Sequence, residues 1–149
     1  MNLKSIMKVR NIIIIALLIT STGCKISKQI SQHKISWLNG TWQGTGYQID
    51  LENDNEWSIL LEIDTNNQLY TIAYPSLNCS GKWKLIKSSK DQATFEELIE
   101  LNTVDCTQNG KVILSKVDDD HVIFSYFYTN TKFGNTKKAS AFSTLEKQK

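Results

Sequence analysis

From Trp37 onward the chain is written in short runs in which apolar and polar residues alternate, separated by polar turns. This period of two is the signature of half-buried β-strands. Glu56 to Ile63 puts Trp57, Ile59, Leu61 and Ile63 on one face and Glu56, Ser58, Leu60 and Glu62 on the other. In Leu69 to Tyr74 the residues Tyr70, Ile72 and Tyr74 alternate, and Pro75, which has no N–H to donate to a ladder, ends the run. Gly81 to Ile86 opposes Trp83 and Leu85 to Lys82 and Lys84, while Thr94 to Leu101 aligns Phe95, Ile99 and Leu101. Further strands are expected at Thr41 to Ile49, where Gly44 and Gly46 suit a sharp bend, and at Lys111 to Val117, His121 to Tyr128 and Ala139 to Leu145. Asp64 to Asn67, Ser88 to Asp91 and Asp118 to Asp120 are turn chemistry. Thr94 to Leu101 also fits two turns of an amphipathic helix; strand is expected because its neighbours are strands and the segment is short. Eight strands joined mostly by short turns can close on themselves and so remove exposed edges. The expectation is an all-β fold, a small eight-stranded antiparallel up-and-down barrel whose last strand pairs with its first.

The amino terminus follows another pattern. Lys4, Lys8 and Arg10 precede an unbroken apolar run, Ile12 to Ile19, which leads into Ser21-Thr22-Gly23-Cys24. Basic, apolar and small residues in that order form a secretory signal peptide. The run is too short to cross a hydrocarbon core of about 30 Å, which takes about 20 apolar residues in a helix. Thr-Gly-Cys after an apolar run resembles the lipobox of bacterial lipoproteins, with Ser21 where leucine is usual. The resemblance implies that Cys24 is acylated and becomes the first residue of the mature chain, placing the protein in the cell envelope on a lipid anchor, at the periplasmic face in a Gram-negative cell. The alternative is an ordinary cleaved signal. The chain then divides into a signal (1–23), a lipidated cysteine with a polar tether (24–36) and a barrel domain (37–149). His33 falls in the tether and reads as a solvated side chain.

If Cys24 takes lipid, Cys79 and Cys106 remain as a pair in an oxidising compartment, where a structural disulfide is expected. Two cysteines cannot make a Cys₄ zinc site, no histidine stands at ligand spacing beside them, and Cys-x-x-Cys is absent. Charge narrows the function further. Beyond residue 23 the chain has 14 Lys and no Arg against 15 Asp or Glu, a balance of −1. Such a chain lacks the concentrated basic face of a nucleic-acid binder. There is no nucleophile elbow, Cys–His pair, HExxH or P-loop, and two histidines leave little general-base capacity. No catalytic residue, cofactor or metal is assigned, though a pair of carboxylates brought together by folding leaves no mark in a sequence.

Gly40-Thr41-Trp42 at the start of the meander resembles the opening of lipocalin-type barrels, in which a tryptophan on the first strand plugs one end. A longer pattern, Trp42-x-Gly44-x-Gly46-Tyr47-Gln48, Trp57, Tyr74-Pro-Ser-Leu-x-Cys79-x-Gly81-x-Trp83, Phe95-x-Glu97-x-Ile99 and Cys106, resembles small extracytoplasmic bacterial domains that occur as lipoproteins. The resemblance spans about residues 40 to 128. It implies fold and location and transfers no functional residue.

Glu97 stands out because alternation places it on the inward face with Phe95 and Ile99. A buried carboxylate needs hydrogen-bond donors or a raised pKa. Tyr47, Gln48, Tyr70, Tyr74 and the tryptophan N–H groups are candidate donors. Trp42, Tyr47, Trp57, Tyr70, Tyr74, Trp83 and Phe95 are expected inward, where they fill the interior or line a pocket; filling is favoured in so small a barrel. His121 to Tyr128 is apolar on both faces, and Glu97, Tyr126 and Tyr128 are the candidate ligand or partner contacts, with Glu97 as a structural hydrogen-bond anchor the alternative for that residue. His121 beside Asp118 to Asp120 reads as a solvated turn. The reading reached is a lipid-anchored, non-catalytic envelope module that binds a protein partner. The alternative is a carrier of a small hydrophobic ligand inside the barrel.

Overall fold

The computed structural model describes residues 35–49, 54–104, 106, 108–130 and 137–149. Cys24, His33 and the signal segment lie outside the described residues. Eight strands follow in order: β1 (Gly40–Ile49), β2 (Asp54–Asp64), β3 (Leu69–Tyr74), β4 (Cys79–Ser88), β5 (Gln92–Leu101), β6 (Lys111–Lys116), β7 (His121–Asn130) and β8 (Lys137–Lys147). Each pairs antiparallel with the next, and β8 returns to β1 through Trp42 with Lys147 and Tyr47 with Phe142, closing the barrel. Thr94 to Leu101 is strand throughout.

Turn chemistry fixes the corners at the lower end. Asp64 accepts the backbone N–H groups of Asn66 and Asn67 at 2.9 and 3.2 Å. Asp118 accepts those of Asp120 and His121 at 2.8 and 2.7 Å, with the His121 ring Nδ1 2.9 Å from the same oxygen. His121 is thus part of the turn.

The interior is filled from this end upward. A 3₁₀ turn at Ser36–Leu38 tucks Leu38 and the preceding Ile35 into the core, so burial begins within the segment expected to be tether. Trp42 is fully buried above them, its indole N–H donating to the Leu38 carbonyl at 2.7 Å, with the Lys147 ammonium 5.2 Å from its ring centroid. Trp42 closes the lower end. Above it Phe95 packs on Tyr70 at 5.3 Å and on Trp83 at 5.2 Å, and Trp83 lies 6.1 Å from Phe124.

Two expectations about facing fail. Tyr47 is 43% exposed, because Trp42, Gly44 and Gly46 hold the inward positions of β1 and an odd residue must point out. Leu101 is 55% exposed: the register slips between Ser80/Leu101 and Gly81/Ile99, and the extra residue, Glu100, forms a bulge that reverses the alternation.

Candidate functional site

Glu97 sits in the middle of β5, directly opposite Trp83 of β4, and is only 1% exposed. Its backbone N–H donates to the Gly110 carbonyl at 2.8 Å, extending the β5–β6 ladder by one rung. The side chain points into the barrel and gathers three neutral donors. The Tyr74 hydroxyl donates to Oε2 at 2.6 Å and the Trp83 indole N–H donates to the same oxygen at 2.9 Å. The Tyr126 hydroxyl is the third. Gly110 is what admits Tyr126: a Cβ there would collide with the tyrosine ring.

Burial pushes the Glu97 carboxyl above the usual glutamate range, and the three donors only partly offset it. The same carboxylate, together with burial, drives the Tyr74 and Tyr126 hydroxyls well above the usual tyrosine range, burial being the larger cause for both. Both phenols therefore stay neutral donors at any physiological pH.

This cluster forms the floor of a half-open cavity of about 330 Å³ at the upper end of the barrel. Among the described residues Trp57, Tyr74, Tyr126 and Tyr128 supply rings to its wall and Gln48, Asn55 and Glu56 polar groups, with Leu77 and Cys106 beside them. Trp57 and Tyr74 meet edge to face at 6.4 Å, and Tyr126 and Tyr128 at 5.5 Å. Gly46 leaves room for Trp57, whose ring would lie 2.8 Å from a Cβ at that position. A disulfide joins Cys79, the first residue of β4, to Cys106, with the Cα atoms 6.5 Å apart. It ties the β5–β6 connection to the strand beside Tyr74, and Asn102 adds a hydrogen bond to the Leu77 carbonyl at 3.2 Å.

Glu97, Tyr126 and Tyr128 thus come together at one site, with Cys106 at its edge. Tyr126 and Tyr128 face the cavity and not the outer surface. Tyr126 is 6% exposed and Tyr128 half-buried, because β7 sends Val122, Phe124, Tyr126 and Tyr128 inward and leaves Ile123 and Phe127 outside. Of the donors expected for Glu97, Tyr74 and a tryptophan hold; Tyr47 points outward and Tyr70 packs on Phe95. Tyr126 was missed as a donor, although its shared parity with Val122 and Phe124 marks it as inward. Among the described residues the lower part of the interior is packed and the upper part holds the cavity.

No family model and no curated protein matches the chain. Among solved structures it is similar to one described as "EF1p2_mFAP2b bound to DFHBI", with a TM-score of 0.54 and 13% identity, covering 75% of this chain and 94% of that one. The two chains share a fold. At that identity the likeness concerns the path of the backbone, and no residue role passes from one to the other.

Proposed function

We propose that this protein is a non-catalytic, small-ligand-binding module of the bacterial cell envelope, held on a membrane through acylated Cys24, with its ligand seated in the upper cavity of the barrel. The observation that carries this reading is the contrast between the two ends. The lower end is sealed by Leu38 and Trp42, whereas the upper end keeps about 330 Å³ open over a buried, hydrogen-bonded carboxyl. A cavity of that size falls at the small end of ligand sites, and apolar walls with a few convergent polar groups are their usual make-up. The structural neighbour, described as bound to DFHBI, supports the capacity of such a barrel to hold a ligand. The envelope location rests on the signal and lipobox-like residues, and the Cys79–Cys106 disulfide accords with an oxidising compartment.

A titration of the purified full chain with a neutral environment-sensitive dye such as Nile red tests the reading. Saturable one-to-one enhancement is expected. Asn55→Trp and Gln48→Trp, which fill the mouth, weaken it by about tenfold or more, a loss of about 1.4 kcal/mol or more. Trp42→Phe, at the sealed end, leaves it unchanged. Enhancement indifferent to both mouth variants refutes the cavity as the site. A second reading, a protein partner, is favoured by the outer face, where Tyr47, Ile123, Phe127 and Phe142 are all exposed on the adjacent strands β1, β7 and β8. Such a partner would ignore the mouth variants.

A further inference from the structure

The chemistry of the cavity wall restricts what can occupy it. Among the described residues two carboxylates contribute to the lining, Glu97 at the floor and Glu56, exposed at the rim, and no lysine or arginine does. All three groups that hydrogen-bond the Glu97 side chain are neutral. Among the described residues no cation pairs with it: the ion pairs found are Lys82–Glu100, Lys116–Asp119 and His121–Asp118, all on the outside. Four rings, those of Trp57, Tyr74, Tyr126 and Tyr128, border the same space. The face of an aromatic ring is the negative end of its quadrupole, and a cation within about 6 Å of several such faces is held by all of them. An anionic ligand would meet two carboxylates that no cation among the described lining residues offsets. A neutral hydrocarbon would meet a carboxyl whose ionised form only the three neutral donors support.

We infer that the upper cavity binds a small organic cation, an alkylated ammonium on a short apolar or hydroxylated body, with its charged head on Glu97 and the four rings around it. This inference rests on the upper cavity being a ligand site. The ammonium supplies the charge that the Tyr74, Trp83 and Tyr126 donors cannot. Bound there, it favours the ionised form of Glu97. The volume suits one trimethylammonium head with a few further atoms, not a long acyl chain.

The test compares three molecules of nearly one shape by calorimetry on the full chain at about pH 8, above the ordinary carboxylate range. They are choline, its neutral isostere 3,3-dimethylbutan-1-ol, and the anion 3,3-dimethylbutanoate. Choline is expected to bind at least about tenfold more tightly than the alcohol, with the anion weakest. Glu97→Gln is expected to abolish the preference for choline while the alcohol still binds. Tyr128→Leu, at the half-buried rim, keeps the test open should that variant not fold: it lowers choline affinity severalfold and leaves the alcohol within about twofold. Equal or tighter binding of the alcohol or the anion overturns the cation and leaves the ligand site standing. Binding of none of the three also overturns the cation, and the dye titration with the mouth variants then decides the ligand site separately.

Discussion

Glu97 reverses the usual relation between an acid and pH. Turn acids such as Asp64, Asp118 and Asp119 have pKa values lowered by hydrogen bonds in the folded state, so what they add to stability is present above their unfolded pKa and is lost as pH falls. Glu97 has its folded pKa raised, chiefly by burial. Between the ordinary glutamate range and that raised value the native state holds more protons than the unfolded one, so stability falls as pH rises. The groups facing it are Tyr74 from β3, Trp83 from β4, Tyr126 and Tyr128 from β7 and Glu56 from β2. Tyr74 and Tyr126 titrate far above this window and Trp83 not at all. Urea midpoints measured against pH for the native chain and Glu97→Gln should therefore diverge. The native chain loses ground to the variant as pH rises through the window, by about 1.4 kcal/mol for each unit by which folding raises the pKa. Parallel curves would mean that Glu97 has the same pKa folded and unfolded. Alternation was enough to mark Glu97 as inward and to offer Tyr74 and a tryptophan among its candidate donors, but not to name Tyr126. Tyr74 and Tyr126 come from strands that do not flank β5, and which of them reach the same height depends on barrel tilt, which no local period encodes.

At the scale of elements the strands were legible for a simple reason. In a barrel each strand buries one face, so the period of two is imposed along nearly its whole length. It broke where the backbone departs from a regular strand, at the Glu100 bulge, and at Ile35, where a single turn of 3₁₀ helix buries an apolar residue that has no periodic neighbours. The β5–β6 connection is the longest between described strands, and it depends on its covalent tie. The disulfide closes a loop with a sequence separation of 27, worth roughly 3–4 kcal/mol in the chain-entropy model, or about a third of a typical domain's stability. Cys79→Ser/Cys106→Ser should lower the unfolding free energy by about that amount in urea. Because Cys106 lines the cavity and Cys79 stands beside Tyr74, the same variant should also weaken ligand binding at temperatures where the barrel remains folded. A loss of stability with unchanged binding would separate the disulfide from the site and make it a brace for the fold alone.

In the proposed reading the whole molecule combines an amino-terminal address with a barrel whose net charge is not basic. Juxtamembrane basic clusters add about 1 kcal/mol per Lys or Arg at an anionic surface. Past residue 23 the balance here is −1, with no arginine. The proposed membrane residence then rests on the anchor at Cys24, where each buried CH₂ of an acyl chain would contribute about 0.8 kcal/mol and two or more chains would hold almost permanently. The two origins of binding differ in their response to salt: electrostatic adsorption is screened, acyl burial is not. Native protein should stay with the membrane fraction through a high-salt wash and leave it only in detergent. Cys24→Ser should appear in the soluble fraction or remain unprocessed, while any barrel released still carries the Cys79–Cys106 disulfide and binds the same dye, since no cavity residue has changed. A Cys24→Ser protein that still resists salt on the membrane in a lipid-modified form would place the anchor on another residue. One that is washed off by salt in the same way as the native protein would mean that the small residues before Cys24 mark an ordinary cleavage site.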